Sequence, residues 1–502
     1  MRKEIVIVGG GTAGWLTALV MEKLMGYDAN VTLIESEEIG ILGAGEGSTP
    51  NFPGLLNWLN IPYEDFIART NATHKVAISF ENWNGDGKKY FHPFTALNEK
   101  YDWCLTNKKE IGVEYLGYLH KNNLELDDYI LSSKLAEEGH SPITITPVEG
   151  KENSVHYSFH FDAQLVAKYL RKIGERRKIK RIEGVVKGFR LDTNNQIKKV
   201  YLKGNQIVKC DFVFDCSGFK RLIVGNLFET KWKSYNESLK VNTAITYFLP
   251  KPTDIKPYTK AIAMKYGWMW QIPLQNRWGC GYNFDKSFTS VDDAKKEVTD
   301  YLGHDVEFGR TIEFDAGRYE DVWVNNCVAI GLSSAFTEPI EATSIFNAIN
   351  QLSCISKENI LDYLNGNREF YKEYNKWIAK LNDDVMDFLQ FHYFTQRKDT
   401  EFWKTYFDES KKSKSLLSKI EKWKFKKPTE LDFEKESFGL ANWLCVGNGI
   451  GFFNSNYFIK NYEKFENKDD IENHHKTQKE NIQKIKKISI GQNKLLSLVK
   501  RY

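Results

Sequence analysis

The chain has 502 residues, 41% of them hydrophobic, which is enough for one large domain or two closely joined domains. Its 70 basic residues nearly balance 66 acidic ones, so the net charge of +4 argues against a nucleic-acid-binding protein. Seven scattered cysteines without a C-x-x-C pair argue against a disulfide framework and a zinc site, and no metal is expected. No apolar run is long enough to span a membrane and no signal-peptide pattern is visible, so a cytoplasmic enzyme is expected.

The first predicted unit is a βαβ segment near the start of the chain. Residues 5–8 are four β-formers in a row, which suits a strand that is buried on both faces. Residues 15–24 are predicted to form a helix, and residues 31–34 a second strand. This order and length are typical of a dinucleotide-binding fold.

A glycine motif joins the first strand to the helix. Gly9, Gly11 and Gly14 form G-x-G-x-x-G, and Glu35 ends the second strand 21 residues after Gly14. Such glycines permit a tight turn, a close approach of the backbone to a pyrophosphate and close packing of helix and strand, while the acid can accept a ribose hydroxyl. In this context the motif predicts dinucleotide binding rather than an ordinary glycine turn.

Residues 38–50 contain four glycines and a proline, which excludes a regular helix or strand there. The segment lies over the cofactor or is a plain surface loop, and composition does not decide between these. Residues 71–80 alternate as a strand, with Lys75 and the small side chains of Ala77 and Ser79 on one face. Lys75 is therefore either a solvated bystander or a partly buried amine with a lowered pKa.

Further along, Asp162 is expected to cap a helix that follows a strand-like run. Residues 211–219, DFVFDCSGF, predict a strand with a small-residue turn that offers a second cofactor contact and favours FAD over NAD. Residues 261–274 predict a strand that ends at a proline, with Trp268 and Trp270 on one face. Core packing is the default explanation of that tryptophan pair.

Residues 323–353 combine a predicted strand at 328–332 with a turn and a helix from about Ser344. Glu341 lies just ahead of the helix, where a carboxylate can simply stabilise the helix dipole. The amides of Thr343 and Ser344 at the helix start can bind a small anion. Beyond residue 356 the pattern is mostly helical, and the tail from Lys476 is expected to dock on the body rather than on a membrane.

Together these stretches resemble the flavin-dependent halogenases, especially the tryptophan halogenase group. The resemblance implies an α/β fold: an FAD-binding, Rossmann-like module of the flavin monooxygenase type over residues 1–355, and a mostly helical substrate-binding region over 356–502. The stretches that carry it are GGGTAGW at 9–15, GAGEGSTPN at 43–51, NATHKVAISF at 71–80, FHFDAQLVAKYL at 159–170, DCSGF at 215–219, WMWQIP at 268–273, WVNNCVAIGLSSAFTEPIEATS at 323–344 and FHYFTQRKDTEFW at 391–403.

The resemblance also implies roles for single residues. The family uses reduced FAD, dioxygen and a halide (chloride, bromide or iodide) to make hypohalous acid, which travels through a tunnel to a lysine matched by Lys75. Glu341 matches the glutamate beside that lysine, and Trp268 and Trp270 match the pair that separates substrate from flavin. The implied FAD contacts are Gly9, Gly11, Thr12, Ala13, Gly14, Glu35, Leu42, Gly43, Ala44, Gly45, Glu46, Asp215, Gly218 and Gly331, with the residues from 43 to 47 as a strap; the implied halide site is Thr343 and Ser344.

The expected substrate is an electron-rich aromatic. His92, Phe94, Phe438 and Asn442 match the substrate pocket, but the tyrosine pair that holds the amino-acid end of tryptophan is missing from TELDFEKESF at 429–438. An indole or phenol therefore fits better than free tryptophan. The family turn usually carries glycine where Ser344 stands, so strain at Ser344 is expected if that position needs a positive φ.

No second dinucleotide motif is visible, so a separate NAD(P)H-dependent flavin reductase is expected to supply FADH2. The alternative function is a flavin-dependent aromatic hydroxylase, and a third is an FAD-binding scaffold or sensor. No nucleic-acid or membrane partner is expected, and a homo-oligomer is left open.

Overall fold

The computed structural model describes residues 2–38, 45–94, 111–146, 155–408, 412–433 and 436–499. Its strands are β1 (Lys3–Val8), β2 (Ala29–Glu35), β3 (Glu46–Gly47), β4 (Thr73–Lys75), β5 (Ala77–Glu81), β6 (Lys89–Pro93), β7 (His140–Thr144), β8 (Ser158–Phe161), β9 (Lys180–Glu183), β10 (Val186–Leu191), β11 (Ile197–Leu202), β12 (Ile207–Lys209), β13 (Phe212–Asp215), β14 (Trp232–Ser234), β15 (Thr243–Leu249), β16 (Tyr258–Ala263), β17 (Gly267–Pro273), β18 (Trp278–Phe284), β19 (Phe308–Glu313), β20 (Gly317–Tyr319), β21 (Trp323–Val324), β22 (Cys327–Ala329), β23 (Ala335–Phe336) and β24 (Ser489–Gly491).

The helices of the same residues are α1 (Thr12–Met25), α2 (Asn51–Trp58), α3 (Tyr63–Thr70), α4 (Ile111–Lys121), α5 (Leu131–Glu138), α6 (Ala163–Arg176), α7 (Val291–Leu302), α8 (Thr343–Ser353), α9 (Lys357–Leu364), α10 (Phe370–Phe391), α11 (Glu401–Lys404), α12 (Lys414–Phe425), α13 (Leu440–Gly449), α14 (Ser455–Glu463), α15 (Lys468–Ile488) and α16 (Gln492–Val499). Among them there is no helix whose length and hydropathy would let it cross a membrane.

The largest hydrophobic cluster surrounds a parallel sheet in the order β21-β22-β13-β1-β2-β9, in which only the edge strand β21 is antiparallel. Residues 5–8 are buried, which explains why they carry no polar side chain. Val8 aligns with Asp215 on one side and with Ile34 on the other. The turns after β1 and β13 therefore meet at one edge of the sheet, and the predicted Rossmann-like fold is confirmed.

A second sheet carries the tryptophan strand. Its order is β19-β15-β18-β17-β16-β5-β6, and its pairs are antiparallel except the parallel pair of β5 and β16. Strand β17 bears both tryptophans and lies two positions from β5. The residues that follow Lys75 along the chain are thereby brought into the same sheet as the tryptophan pair.

A small antiparallel sheet, β3-β8-β4, corrects two predictions. Residues 71–80 are not one strand: β4 ends at Lys75, Val76 intervenes, and β5 belongs to the second sheet. Of the two alternatives for Lys75, the solvated bystander is wrong, because both faces of this segment are buried. The glycine-rich segment also contributes a strand, since Glu46 and Gly47 pair with β8.

The C-terminal residues are mostly helical, as predicted. The tail forms α15 and then, after β24 pairs with β7, the short helix α16. Ile482, Ile485 and Leu495 are buried, so the tail docks on the body of the protein. Helix α10 ends immediately before His392, and helix α13 carries Asn442.

Candidate active site

The glycine motif forms a cradle in which side chains are excluded by the backbone. Gly9 has a φ of +118°, and a Cβ on it would lie 2.1 Å from the carbonyl oxygen of Cys216. A Cβ on Gly14 would lie 1.9 Å from the carbonyl oxygen of Gly9. Both distances are far below van der Waals contact, so the turn and the packing of α1 against β1 require glycine at these positions.

The start of helix α1 fits a bound phosphate. Gly11 precedes the helix without a capping side-chain hydrogen bond, and a Cβ on it would meet no atom within 4 Å. The buried hydroxyl of Thr12 has no hydrogen-bond partner among the described residues. Open space, an unpaired hydroxyl and free first-turn amides are the features that the pyrophosphate of a dinucleotide needs.

The other predicted cofactor residues around this turn are brought together. Gly331 has a φ of +67°, and a Cβ on it would lie 3.1 Å from the Cβ of Ala13. Gly218, with a φ of +64°, follows β13 after Cys216 and Ser217. The buried carboxylate of Asp215 accepts hydrogen bonds from backbone amides of the loop that follows, including that of Ile223 at 2.8 Å. Asp215 therefore shapes the loop, and its contact with a cofactor stays a prediction.

Glu35 stands at the end of β2, where the ribose-binding acid is expected. Its carboxylate pairs with Arg181 and accepts a hydrogen bond of 3.3 Å from the indole nitrogen of Trp15. The ribose contact of Glu35 stays a prediction. Leu42, Gly43 and Ala44 lie outside the described residues.

The described end of the strap touches the lysine. Gly45 has a φ of +100°, and Glu46 follows it in β3. Burial and, to a smaller extent, Asp162 raise the pKa of Glu46 to about 7. A Cβ on Gly47 would lie 3.3 Å from Lys75 Nζ, so the strap passes directly beside the amine.

Lys75 is a buried amine with 1% exposure. Its Nζ lies 5.1 Å from the ring centre of Phe94, which is a cation–π distance. Burial lowers the pKa of Lys75 from 10.5 to about 8, although the negative charge of Glu341 opposes this change. Near neutral pH the amine is therefore available both as a hydrogen-bond donor and as a nucleophile.

Glu341 accepts two hydrogen bonds from histidines that are distant in the chain. His92 Nδ1 and His392 Nε2 each lie 2.8 Å from Glu341 Oε1. Burial by itself would raise the pKa of this carboxyl, but His92 and His392 lower it to about 2. The ligand atoms of the three side chains lie within 4.8 Å of one another, close enough to hold a metal ion. The prediction that the protein needs no metal is not tested by this geometry.

The turn after Glu341 differs from expectation in one respect. Ala342 carries the positive φ, +56°, whereas Ser344 lies inside helix α8. The expected strain at Ser344 is therefore not observed. Thr343 begins the helix, its hydroxyl shares a 2.9 Å hydrogen bond with that of Thr337, and Ala342 makes no side-chain cap. The first-turn amides remain suited to an anion.

The two tryptophans pack at 6.2 Å between ring centres. The indole of Trp268 donates a 2.6 Å hydrogen bond to Glu338 Oε2, and the Tyr393 hydroxyl donates to the same oxygen at 2.6 Å. Burial raises the pKa of Glu338 to about 7, although both hydrogen bonds oppose this change. A Cβ on Gly281 would clash with the ring of Trp270 at 2.1 Å, so a glycine makes room for that ring.

Three of the four predicted substrate residues form one aromatic and amide cluster, and the fourth, Phe94, lies beside Lys75. Phe438 stacks on Phe388 with ring centres 4.0 Å apart, and His92 lies 5.7 Å from the same ring. His92 Nε2 lies 2.9 Å from Asn442 Oδ1. His92, Phe438 and Asn442 thus meet next to Glu341.

Sequence reasoning missed His392 and Glu338. His392 lies in the FHYF stretch at 391–394, and Glu338 lies three residues before Glu341. A histidine at a helix end and a glutamate beside a proline both have ordinary structural explanations. What distinguishes them is the contact of His392 with Glu341 and the contact of Glu338 with Trp268.

Comparison with known proteins identifies a family. The family model described as "Tryptophan halogenase" matches residues 4–460. The tryptophan 6-halogenase SttH of Streptomyces toxytricini is 32% identical over 451 residues, covering 85% of this chain and 84% of that protein. The tryptophan 7-halogenase RebH of Lentzea aerocolonigenes is 30% identical over 485 residues, covering 89% of each.

A solved structure is similar over the whole chain. It is a tryptophan C-6 flavin-dependent halogenase (chlorinase) from taromycin biosynthesis, with a TM-score of 0.88, 28% identity and full coverage of both chains.

Proposed function

The chain belongs to the tryptophan halogenase family and is a flavin-dependent halogenase, and we propose that Lys75 and Glu341 carry its halogenation chemistry. The observation that supports this most directly is that the Lys75 amine is buried beside the strap, where the negative charge of Glu341 acts on it. Burying a lysine is costly because burial disfavours its charged form, so its burial here indicates a function.

FAD is the cofactor that the cradle fits. Bound in reduced form, FAD would supply, together with dioxygen, the oxidising power for converting halide to hypohalous acid. Gly11 and Thr12 would hold its pyrophosphate at the start of α1, and Glu35 would face its ribose. A separate flavin reductase would provide FADH2. The amides of Thr343 and Ser344 would hold the halide at the start of α8.

Lys75 would receive hypohalous acid in one of two ways. A protonated amine donates a hydrogen bond to its oxygen and orients the halogen. A neutral amine attacks the halogen, forms an N–halogen bond and releases water after the amine proton passes to the departing hydroxide. With a pKa of about 8, Lys75 populates both forms near that pH. Trp268 and Trp270 would keep the substrate itself away from the flavin.

The substrate we propose is an indole or a phenol rather than free tryptophan. The aromatic rings around Phe438 and the polar edge of His92 suit a flat, electron-rich ring. The tyrosine pair that would hold the amino-acid end of tryptophan is missing from residues 429–438. In this proposal residues 356–502 complete the pocket of the module formed by residues 1–355. His392, at the end of α10, contacts Glu341, and Asn442, in α13, contacts His92.

The test is a panel of substrates and halides. Enzyme, FADH2 and oxygen are incubated with chloride, bromide or iodide and with indole, phenol or free tryptophan, and products are identified by mass spectrometry. The expected result is halogenated indole or phenol, with less product from free tryptophan. Hydroxylated product without halogen would replace this function by the aromatic hydroxylase, and faster turnover of free tryptophan would overturn the substrate assignment.

A further inference from the structure

The hydrogen bonds around Glu341 allow its protons to be counted. His392 Nδ1 lies 2.8 Å from the backbone carbonyl of Phe388, one turn back on α10. A carbonyl oxygen only accepts, so Nδ1 carries a proton. The other ring nitrogen, Nε2, points at Glu341 Oε1. That contact needs a second proton, which sits either on the ring or on the carboxyl group.

His92 shows the same arrangement. Its Nε2 points at Asn442 Oδ1, while the amide nitrogen of Asn442 points at the carbonyl of Gly439. The amide oxygen therefore faces His92 and accepts from it, which leaves Nδ1 to face Glu341 Oε1. Both rings thus donate outward and both turn their inner nitrogen to one carboxylate oxygen.

These four contacts require four protons shared by three side chains. The count is met by a carboxylate with two imidazolium rings, or by a carboxylic acid with one imidazolium and one neutral ring. Both states carry a net charge of +1, so in this arrangement Glu341 is always paired with at least one charged histidine. The two histidines hold the pKa of Glu341 at about 2, which favours the ionised carboxylate.

The two histidines differ in how firmly they are held. His392 is fully buried and bound to the backbone of its own helix, in an edge-to-face contact with Phe388. His92 belongs to the predicted substrate pocket, and its outer nitrogen is held by the side chain of Asn442 rather than by backbone. His392 is therefore the more firmly held partner of Glu341. Both histidine contacts fall on Oε1, which leaves Oε2 for the substrate.

We propose that His392 is a positioning residue that keeps Glu341 ionised and aims its Oε2 at the substrate, an inference that rests on the proposed halogenase function. After halogen addition, the C–H bond at the halogenated carbon breaks and its electron pair restores the aromatic ring. The proton passes to Oε2. Without a cationic partner, burial would keep Glu341 protonated and unable to accept.

The test compares His392→Phe with His392→Gln. Phenylalanine keeps the ring but no donor, whereas glutamine keeps a neutral donor. The expected fall in kcat is about a hundredfold for phenylalanine and smaller for glutamine, with KM for the aromatic substrate changed by less than about threefold. Release of hypohalous acid to a diffusible trap should persist. His120→Phe is the control, because His120 also stacks on a phenylalanine and contacts an asparagine in a different cluster.

Two readouts separate positioning from mere structural support. The charged and titratable groups that act on Glu341 are His92, His392, Lys75 and Tyr90. Losing His392 raises the pKa of Glu341, so an acid limb should appear in the pH profile of kcat between pH 5 and 8. A substrate deuterated at the reacting carbon should then show a primary isotope effect that the wild type lacks.

An unchanged kcat in both variants would overturn the proposal. So would a lower kcat without the acid limb and the isotope effect, since that outcome makes His392 purely structural. If His392→Phe does not fold, His392→Gln carries the same two readouts. If the wild type halogenates no member of the panel, the proposed function fails instead, before His392 is in question.

Discussion

The cofactor cradle and the Lys75–Glu341 site are built in opposite ways. The cradle consists of backbone: two turns at the edge of one parallel sheet, where Gly9 and Cys216 approach so closely that a Cβ is excluded. The site consists of side chains that meet across the fold. His92 and Glu341 are 249 residues apart, and His92 and Asn442 are 350 apart.

This difference governs how each region should respond to substitution. The cradle works through shape, so a change there costs steric strain and cofactor affinity. The site works through coupled charges in a buried environment, so a change there alters protonation and turnover while the fold persists. Substitutions in each region test whether the two regions separate in this way.

Lys75→Ala should lower halogenation by about 10⁴-fold, because in the proposed mechanism Lys75 delivers the halogen to the substrate. FAD affinity, measured by quenching of flavin fluorescence, should stay within about twofold of the wild-type value. Lys209→Ala, which removes an exposed lysine on β12, is the matched control. Halogenation that survives Lys75→Ala would remove Lys75 from the mechanism.

Glu341→Gln should lower kcat about a thousandfold while FAD binding persists, because glutamine keeps the shape but cannot hold the negative charge or accept the proton. Product formation and FAD affinity are measured on the same variant. Glu313→Gln, an exposed change on β19, is the control. Loss of FAD affinity along with kcat would show that the two regions are not separable.

The buried Lys75 amine should also change how the free energy of unfolding depends on pH. Burial lowers the pKa of Lys75 from 10.5 to about 8, so between these values the unfolded chain binds a proton that the folded protein has lost. The free energy of unfolding should therefore rise with pH across this window. Relative to Lys75→Met, the wild type should gain about 3 kcal/mol. Urea unfolding at several pH values checks this, and a constant difference between the two proteins would contradict the burial of a titrating amine.

The cradle predicts a contrast between two glycines. Gly14→Ala places a Cβ 1.9 Å from the carbonyl of Gly9 and should lower the stability of the cofactor-free protein by about 1–3 kcal/mol. Gly11→Ala meets no protein atom within 4 Å, so it should leave that stability unchanged and weaken FAD binding about ten- to hundredfold. Thermal unfolding without FAD and FAD titration separate the two. Full FAD affinity in Gly11→Ala would mean that the phosphate lies elsewhere.

The same contrast explains how much was predictable. The cradle could be predicted because glycine spacing and buried strands are local features of sequence. Gly9 does approach Gly14, and Gly331 does approach Ala13. The sheet change after Lys75 could not be predicted, because an alternating segment looks the same in one sheet or two. Likewise, nothing local distinguishes His392 from a histidine that merely ends a helix, and its role depends on Glu341 lying opposite.

Gly47 is where the two regions touch, and it carries the smallest expected effect. Its φ is not positive, so alanine is tolerated by the backbone, but a Cβ would lie 3.3 Å from Lys75 Nζ and 3.6 Å from Thr259 Oγ1. The amine must then shift by a few tenths of an ångström. Gly47→Ala should therefore lower kcat about threefold to tenfold, because a small misplacement of the reacting group weakens catalysis.

FAD affinity of Gly47→Ala should stay at the wild-type value, since the added methyl group points at the lysine. Gly54→Ala is the matched control, because a Cβ at that exposed helical position meets no atom within 4 Å. Steady-state kinetics on both variants, with FAD titration alongside, decide the matter. A fall in FAD affinity instead of kcat would place Gly47 with the cradle, and the strap would then act on the cofactor rather than on Lys75.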